Sequence, residues 1–316
     1  MRREPRERTT LDTVRRTPSR RGLLTSGAGA ALATALTLSG SARAAAPEGG
    51  SAIVPRLKAL EQRHSARLGV HARDTATGRT VRYRADERFP ICSVFKTPAV
   101  AAVLRDLDRD GEFLARRVRY TEKDVRDSGY APITGRPENL AAGMAVEELC
   151  AAAIRHSDNA AANLLLRELG GPAAITRFCR SIGDGTTRLD RWEPDLNSAE
   201  PWRATDTTSP SAIGRTYARL VLGTALAPGD RERLTGWLLG NTTGGERLRA
   251  GLPGDWTVAD KTGTGSYGTG HDVGVVRPPG RAPLVMAVLT TRHEPDAPPD
   301  SPLIAETAAL LAEALT

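Results

Sequence analysis

The sequence predicts a fold of α/β plus all-α class: one antiparallel sheet flanked by helices, with a helical domain inserted into it. Three observations predict it. Strand patterns occur near both ends of the chain, the stretch between them carries helical periodicity, and residues 302–315 form an amphipathic closing helix. Strands from both ends in one sheet make the middle an insertion.

Residues 54–66 read as a helix, with Leu57 and Leu60 at helical spacing. Residues 68–76 and 79–85 read as two strands joined at Thr77-Gly78, with Val70, Ala72, Val81 and Tyr83 alternating inward. Residues 94–109 form an apolar helix ended near Gly111; Pro98 inside it removes a hydrogen bond and favours a kink. Helices follow at 145–156, at 159–169 before Gly170-Gly171, and at 173–182 before Gly183-Asp184-Gly185. Residues 187–209 are polar, aperiodic and carry Pro194 and Pro201, and a loop this long is usually functional or disordered; Trp192 and Trp202 argue against disorder. Helices return at 209–223 and 230–240. Strands are expected at 257–264, 272–277 and 283–291, the last two joined at Pro278-Pro279-Gly280. The closing helix places Ile304, Ala308, Leu311 and Leu315 on one face. The sheet domain is therefore 47–92 with 241–316, and the helical domain is 93–240, including the loop 187–209.

Residues 1–46 read as a signal peptide. Arg20-Arg21 precede a mild apolar run at 25–40, and small residues at 41–46 make an Ala-x-Ala-like cleavage site. The paired arginines point to twin-arginine export; a membrane anchor fits the weak apolarity poorly. The expectation is a secreted monomer with no stable membrane association after processing. The segment holds nine Arg and three acidic residues, a net of +6, which leaves about +1 of the chain's +7 for the mature part. Basicity therefore gives no support for nucleic-acid binding, and the short Arg116-Arg117-Val118-Arg119 cluster reads as a solvated face. Cys92, Cys150 and Cys179 make an odd count, so at least one thiol is free unless chains cross-link. The histidines have no ligand spacing, and no metal or cofactor is implied.

The chemistry concentrates in an ordered set: Ser93-Val94-Phe95-Lys96, Ser157-Asp158-Asn159, Glu193-Pro194-Asp195-Leu196-Asn197 and Lys261-Thr262-Gly263. Lys96 lies one helical turn from Ser93, and a serine hydroxyl needs a neighbouring base to become a nucleophile. The chain has 44 Lys plus Arg but only four Lys, at 58, 96, 123 and 261. Two of these four stand in the ordered set, where an amine able to lose a proton is useful and a guanidinium is not. Ser157 can relay a proton to a leaving nitrogen, Asn159 offers a donor and an acceptor to a substrate amide, and Asp158 is best read as a brace for its turn. Glu193 with Asn197 can hold and deprotonate a water; taken alone, Glu193 would read as a solvated loop charge.

From about residue 50 to the C-terminus the chain resembles class A β-lactamases, most specifically along 157–166 and 187–197. The resemblance implies the serine β-lactamase and D,D-peptidase fold, with the site between sheet and helices. It implies that Ser93 is acylated by the β-lactam, that Lys96 or Glu193 is its base, and that Ser157 passes a proton to the leaving nitrogen with Lys261 close by. The N–H groups of Ser93 and Thr264 would form the oxyanion hole. Glu193 and Asn197 would position the deacylating water, Tyr130 would line the entrance, and Thr262, Gly263 and Thr264 would border the substrate. It also implies a cis Glu193–Pro194 bond and an Arg191–Asp206 pair pinning the loop.

Three departures from the family stand out. The arginine many members carry after Lys-Thr-Gly is absent from 266–270; Arg247 is its expected substitute for the substrate carboxylate, a helix-surface arginine being the alternative. Cys150 and Cys92 match cysteines bridged in some members, but the partner positions are Val100 and Gly265, so no bridge is expected. Two rival readings are a D,D-peptidase, which would lack the Glu193/Asn197 pair, and a penicillin sensor, which would stay acylated.

Overall fold

The structure, a computed structural model, describes residues 53–316. The expected signal segment lies outside the described residues. Among the described residues nine strands run in chain order: β1 Arg67–Asp74, β2 Thr80–Tyr83, β3 Phe89–Pro90, β4 Arg117–Val118, β5 Met144–Ala145, β6 Thr207–Thr208, β7 Thr257–Gly265, β8 Thr269–Arg277 and β9 Leu284–Thr291. The main sheet has the order β2-β1-β9-β8-β7 and is antiparallel throughout. β1 pairs with β9 in the register Val70↔Val288, so strands from the two ends of the chain join at the middle of the sheet, as expected.

Helices cover both faces. Ile53–Arg63 and Ser301–Leu315 bury Leu57, Leu60, Ile304, Ala308, Leu311 and Leu315 against Val70, Ala72 and Val288. Each such leucine contributes roughly 2 kcal/mol by leaving water. On the other face Pro210–Val221 brings Ile213 and Tyr217 into a larger core with Val94, Phe95, Leu149 and Leu289. That second cover explains a difference from simple alternation. His71, which should face outward from β1, is only 4% exposed, while Tyr83 is half-buried.

Helices Val146–Arg155, Asn159–Glu168, Ala173–Ser181, Pro210–Val221 and Pro228–Leu239 fall where periodicity places them. The helix expected at 94–109 differs. It is a 3₁₀ turn Cys92–Phe95, an α-helix Lys96–Ala102 and a wider π turn Val103–Leu107. Pro98 cannot donate to the Val94 carbonyl four residues earlier, and the Tyr217 hydroxyl donates to that oxygen instead at 3.1 Å. β8 starts at Thr269, three residues earlier than expected. Tyr267 and Gly268, both left-handed at φ 57° and 56°, form a tight two-residue turn that extends the pairing.

The loop 187–209 is ordered. The Glu193–Pro194 bond is cis, and Arg191 Nε pairs with Asp206 Oδ2 at 2.6 Å. The other oxygen of Asp206 accepts the Asp190 and Arg191 N–H groups, at 2.8 and 2.9 Å. Cys92, Cys150 and Cys179 are free and buried. Among the described residues no helix is long and apolar enough to cross a membrane.

Candidate active site

The four motifs meet at one cleft between β7 and the helical layer. A cavity of about 370 Å³ is lined by Ser93, Tyr130, Ser157, Asn159, Asn197, Thr243, Arg247, Thr262 and Thr264. Eight of these are among the sequence-predicted residues; Thr243 is not. Glycine makes the approach of β7 possible. A Cβ placed on Gly263 would lie 3.3 Å from Cys92 Cβ, and one on Gly265 only 2.8 Å from Cys92 Sγ. Cys92 at φ 41° and Ser157 at φ 56° hold left-handed backbone, which costs a non-glycine residue about 1–3 kcal/mol and clusters at functional sites.

Lys96 and Glu193 are fully buried and form an ion pair, with Nζ 3.0 Å from Oε1. Lys96 Nζ also donates to the Ser157 carbonyl at 2.8 Å and to Asn159 Oδ1 at 2.6 Å, so its three N–H bonds face three acceptors. Ser93 Oγ lies 3.4 Å from the same Glu193 Oε1. The second Glu193 oxygen accepts from Asn197 Nδ2. Asn197 Oδ1 is buried and has no hydrogen-bond partner among the described residues. The backbone of Glu193 is held by Asn163, whose amide accepts the Glu193 N–H at 3.0 Å and donates to its carbonyl at 2.8 Å.

On the opposite wall Lys261 Nζ donates to Ser157 Oγ at 3.0 Å and to the Thr262 carbonyl at 2.9 Å. Burial, then the charge of Lys96, hold its amine well below the ordinary lysine range. Arg247 is 7% exposed, so it is no helix-surface arginine. Its Nη1 donates to the Gly263 and His271 carbonyls at 2.8 and 2.7 Å, and its Nη2 to Thr264 Oγ1 at 2.8 Å. Burial lowers its affinity for its proton. Thr243 and Thr262 share a hydrogen bond between their hydroxyls. Asp158 braces the turn, accepting from Ile133 N, Thr134 N, Thr134 Oγ1 and Ala161 N. Tyr130 stands at the mouth, 54% exposed.

Beneath Lys261 lies a polar group that sequence reasoning missed. Asp260 accepts from Arg249 Nη2 at 2.6 Å and from Asn241 Nδ2 at 2.5 Å. Asp272 accepts the Leu248 N–H at 3.0 Å, and burial followed by the charge of Asp260 pushes it well above the usual carboxylate range. Asn163, four residues after Asn159 on one apolar helix, carried the one signal that could have been read.

A family profile described as "Beta-lactamase enzyme family" matches residues 52–315. The chain belongs to that family. It is 72% identical to a β-lactamase of Streptomyces lavendulae over 94% of this chain and 97% of that one. It is 51% identical to the carbapenem-hydrolysing β-lactamase KPC of Klebsiella oxytoca, over 81% and 86%. The solved β-lactamase of Streptomyces albus G superimposes with a TM-score of 0.83 at 65% identity, covering 84% of this chain and all of that one. The protein is a β-lactamase by family and fold, and its sheet flanked by helices is the serine β-lactamase fold.

Proposed function

We propose that this β-lactamase is a class A serine enzyme that opens the β-lactam amide of penicillins and cephalosporins through an acyl-enzyme on Ser93. The observation that carries the reading is the single Glu193 oxygen that lies 3.4 Å from Ser93 Oγ and 3.0 Å from Lys96 Nζ. Lys96 Nζ is engaged by Glu193, the Ser157 carbonyl and Asn159 Oδ1, and we assign the Ser93 proton to Glu193. Ser93 Oγ then bonds to the carbonyl carbon, and the developing oxyanion faces the N–H groups of Ser93 and Thr264. The C–N bond breaks, and the leaving nitrogen takes the Ser157 hydroxyl proton. Ser157 Oγ accepts from Lys261 at 3.0 Å, so its own hydrogen is free to give, and the lowered proton affinity of Lys261 suits it to replace that hydrogen.

The proton that Glu193 took from Ser93 then passes through Lys96 and Ser157 to refill Lys261, which leaves Glu193 a carboxylate again. In the second half a water held by Glu193 and the unpartnered Asn197 Oδ1 loses a proton to Glu193 and attacks the ester; Glu193 returns that proton to Ser93 Oγ as the ester C–O bond breaks. Arg247, Thr262 and Thr264 hold the substrate carboxylate, with Tyr130 and Asn159 along the acyl group. We read residues 47–92 with 241–316 as the sheet domain and 93–240 as its inserted helical domain. We also read Arg20-Arg21 and the run behind them as a twin-arginine signal that delivers a secreted monomer.

Glu193→Ala tests the reading. Without its counter-charge Lys96 can release a proton and serve the first step, but the second step loses its water. Turnover should fall by several decades, and mass spectrometry should show one stable penicillin adduct, absent in Ser93→Ala. Wild-type protein that itself stays acylated for hours would give the case to the peptidase or the sensor.

A further inference from the structure

Ser93 sits between two backbone carbonyls that regular structure does not satisfy. Upstream is Pro90, the last residue of β3. Its oxygen lies 2.8 Å from Nε2 of His271, a residue of β8 with no exposed surface. Downstream is Val94, whose oxygen was freed by Pro98 and accepts from Tyr217 Oη at 3.1 Å. Tyr217 is also fully buried, in the helix Pro210–Val221. The two donors reach the Ser93 turn from residues far away in the chain.

We assign the ring hydrogen of His271 to Nε2: the Thr290 N–H points at Nδ1 at 3.3 Å, and the Gly270 carbonyl, 2.7 Å from Nδ1, already accepts from the Thr290 hydroxyl at 2.8 Å. Burial pushes His271 down to about 4, so the ring is neutral at pH 7. The residue also works through its backbone, since the His271 carbonyl accepts from Arg247 Nη1 at 2.7 Å. One residue thus touches the segment before the nucleophile and the arginine facing the substrate space.

We propose that His271 and Tyr217 are positioning residues for Ser93, clamping the Pro90 and Val94 carbonyls so that its hydroxyl and N–H face the substrate in reactive register. The proposal rests on Ser93 being the nucleophile. Neither side chain lines the cavity, so neither touches substrate. A buried carbonyl left without its donor draws the turn toward another partner, and small misplacements of a nucleophile are expensive in rate.

The test uses the full mature chain with benzylpenicillin, reading kcat/KM, Ser93 acylation by mass spectrometry, and melting temperature. Tyr217→Phe removes one hydroxyl and keeps the ring. His271→Leu removes the Nε2 donor while filling most of the space, and His271→Gln restores an N–H at about the Nε2 reach. Tyr217→Phe should lower kcat/KM by about two- to tenfold. His271→Leu should lower it at least as much, and His271→Gln should recover most of that loss. A role in packing alone would make Leu and Gln equivalent in kcat/KM, and that result overturns the proposal for His271. If His271→Leu does not fold, Tyr217→Phe and His271→Gln decide it. Unchanged kcat/KM in folded Tyr217→Phe together with a His271→Gln loss as large as tenfold overturns the clamp. Ser93→Ala separates the two readings: turnover surviving that change sinks the Ser93 mechanism, whereas a Ser93-dependent enzyme indifferent to the clamp variants sinks only this inference.

Discussion

Arg247 offers the sharpest quantitative test, because its hydrogen bonds can be counted. A guanidinium has five N–H bonds. Both on Nη1 are used, on the Gly263 and His271 carbonyls at 2.8 and 2.7 Å, and one on Nη2 goes to Thr264 Oγ1 at 2.8 Å. Nε has only the Ser301 hydroxyl at 3.4 Å. One Nη2 hydrogen therefore remains for a ligand in the cavity. Thr264, whose oxygen accepts from the arginine, keeps its own hydrogen to donate beside it. A single charge-assisted bond to a carboxylate is worth about 1.5–3 kcal/mol, or roughly 10- to 150-fold in kcat/KM. Arg247→Ala should lose that factor toward benzylpenicillin. The variant also strands two carbonyls, so the loss alone is ambiguous. A cycle with the substrate's methyl ester resolves it. Esterification should harm the wild type by that factor more than it harms Arg247→Ala. Equal penalties in both proteins would refute the assignment, whatever the size of the single loss.

Other outcomes follow from buried groups. Asp158→Ala leaves four donors without an acceptor and should cost about 3–5 kcal/mol, lowering the melting temperature by about 10 °C; a shift under about 2 °C would contradict the brace. Burial lowers His71 from 6.5 to about 4. The unfolded chain takes its proton below 6.5 while the native state resists until about 4, so stability is present above this window and lost as pH falls through it. The loss is about 3 kcal/mol, and urea unfolding of wild type against His71→Leu should show their difference shifting by that much in the variant's favour between pH 7 and pH 4. A constant difference rules this out. Three thiols should titrate in denaturant without reductant, since Cys92, Cys150 and Cys179 are free; finding one would mean a bridge.

What the sequence made legible were features carried by neighbouring residues. Ser93 and Lys96, or Glu193 and Asn197, are one turn apart, and their chemistry shows in a short window. The long helices were legible because apolar periodicity needs about ten residues to register. Two-residue strands such as β3 and β6, and four-residue helices such as Leu248–Gly251, have no period to read. Partnerships across the chain were invisible for a different reason. Asp260 with Asp272, His271 with Pro90, and Tyr217 with Val94 meet only because the sheet and its helical cover bring distant segments together. Arg247 falls between these cases. An arginine missing after Lys261-Thr262-Gly263 pointed to it, but its burial belongs to the fold.

The buried charges of the site do not all pair, and the remainder bears on what the site is for. A buried ion is costly unless an opposite charge meets it. Lys96 has Glu193, and Arg249 has Asp260. Asp272 is pushed toward its neutral form by burial and then by the charge of Asp260 beside it. Arg247 and Lys261 are left with carbonyls and hydroxyls, and neither makes an ion pair among the described residues. Burial accordingly weakens the hold of both on their protons. An acid placed inside the protein to pair them would occupy the cavity. Under the proposed mechanism, a substrate carboxylate entering beside Thr262 and Thr264 supplies the missing counter-charge, and the same field keeps Lys261 ready to move a proton through Ser157. On that reading substrate recognition and proton transfer draw on one imbalance in charge, which the fold holds because Gly263 and Gly265 let β7 close tightly over Cys92.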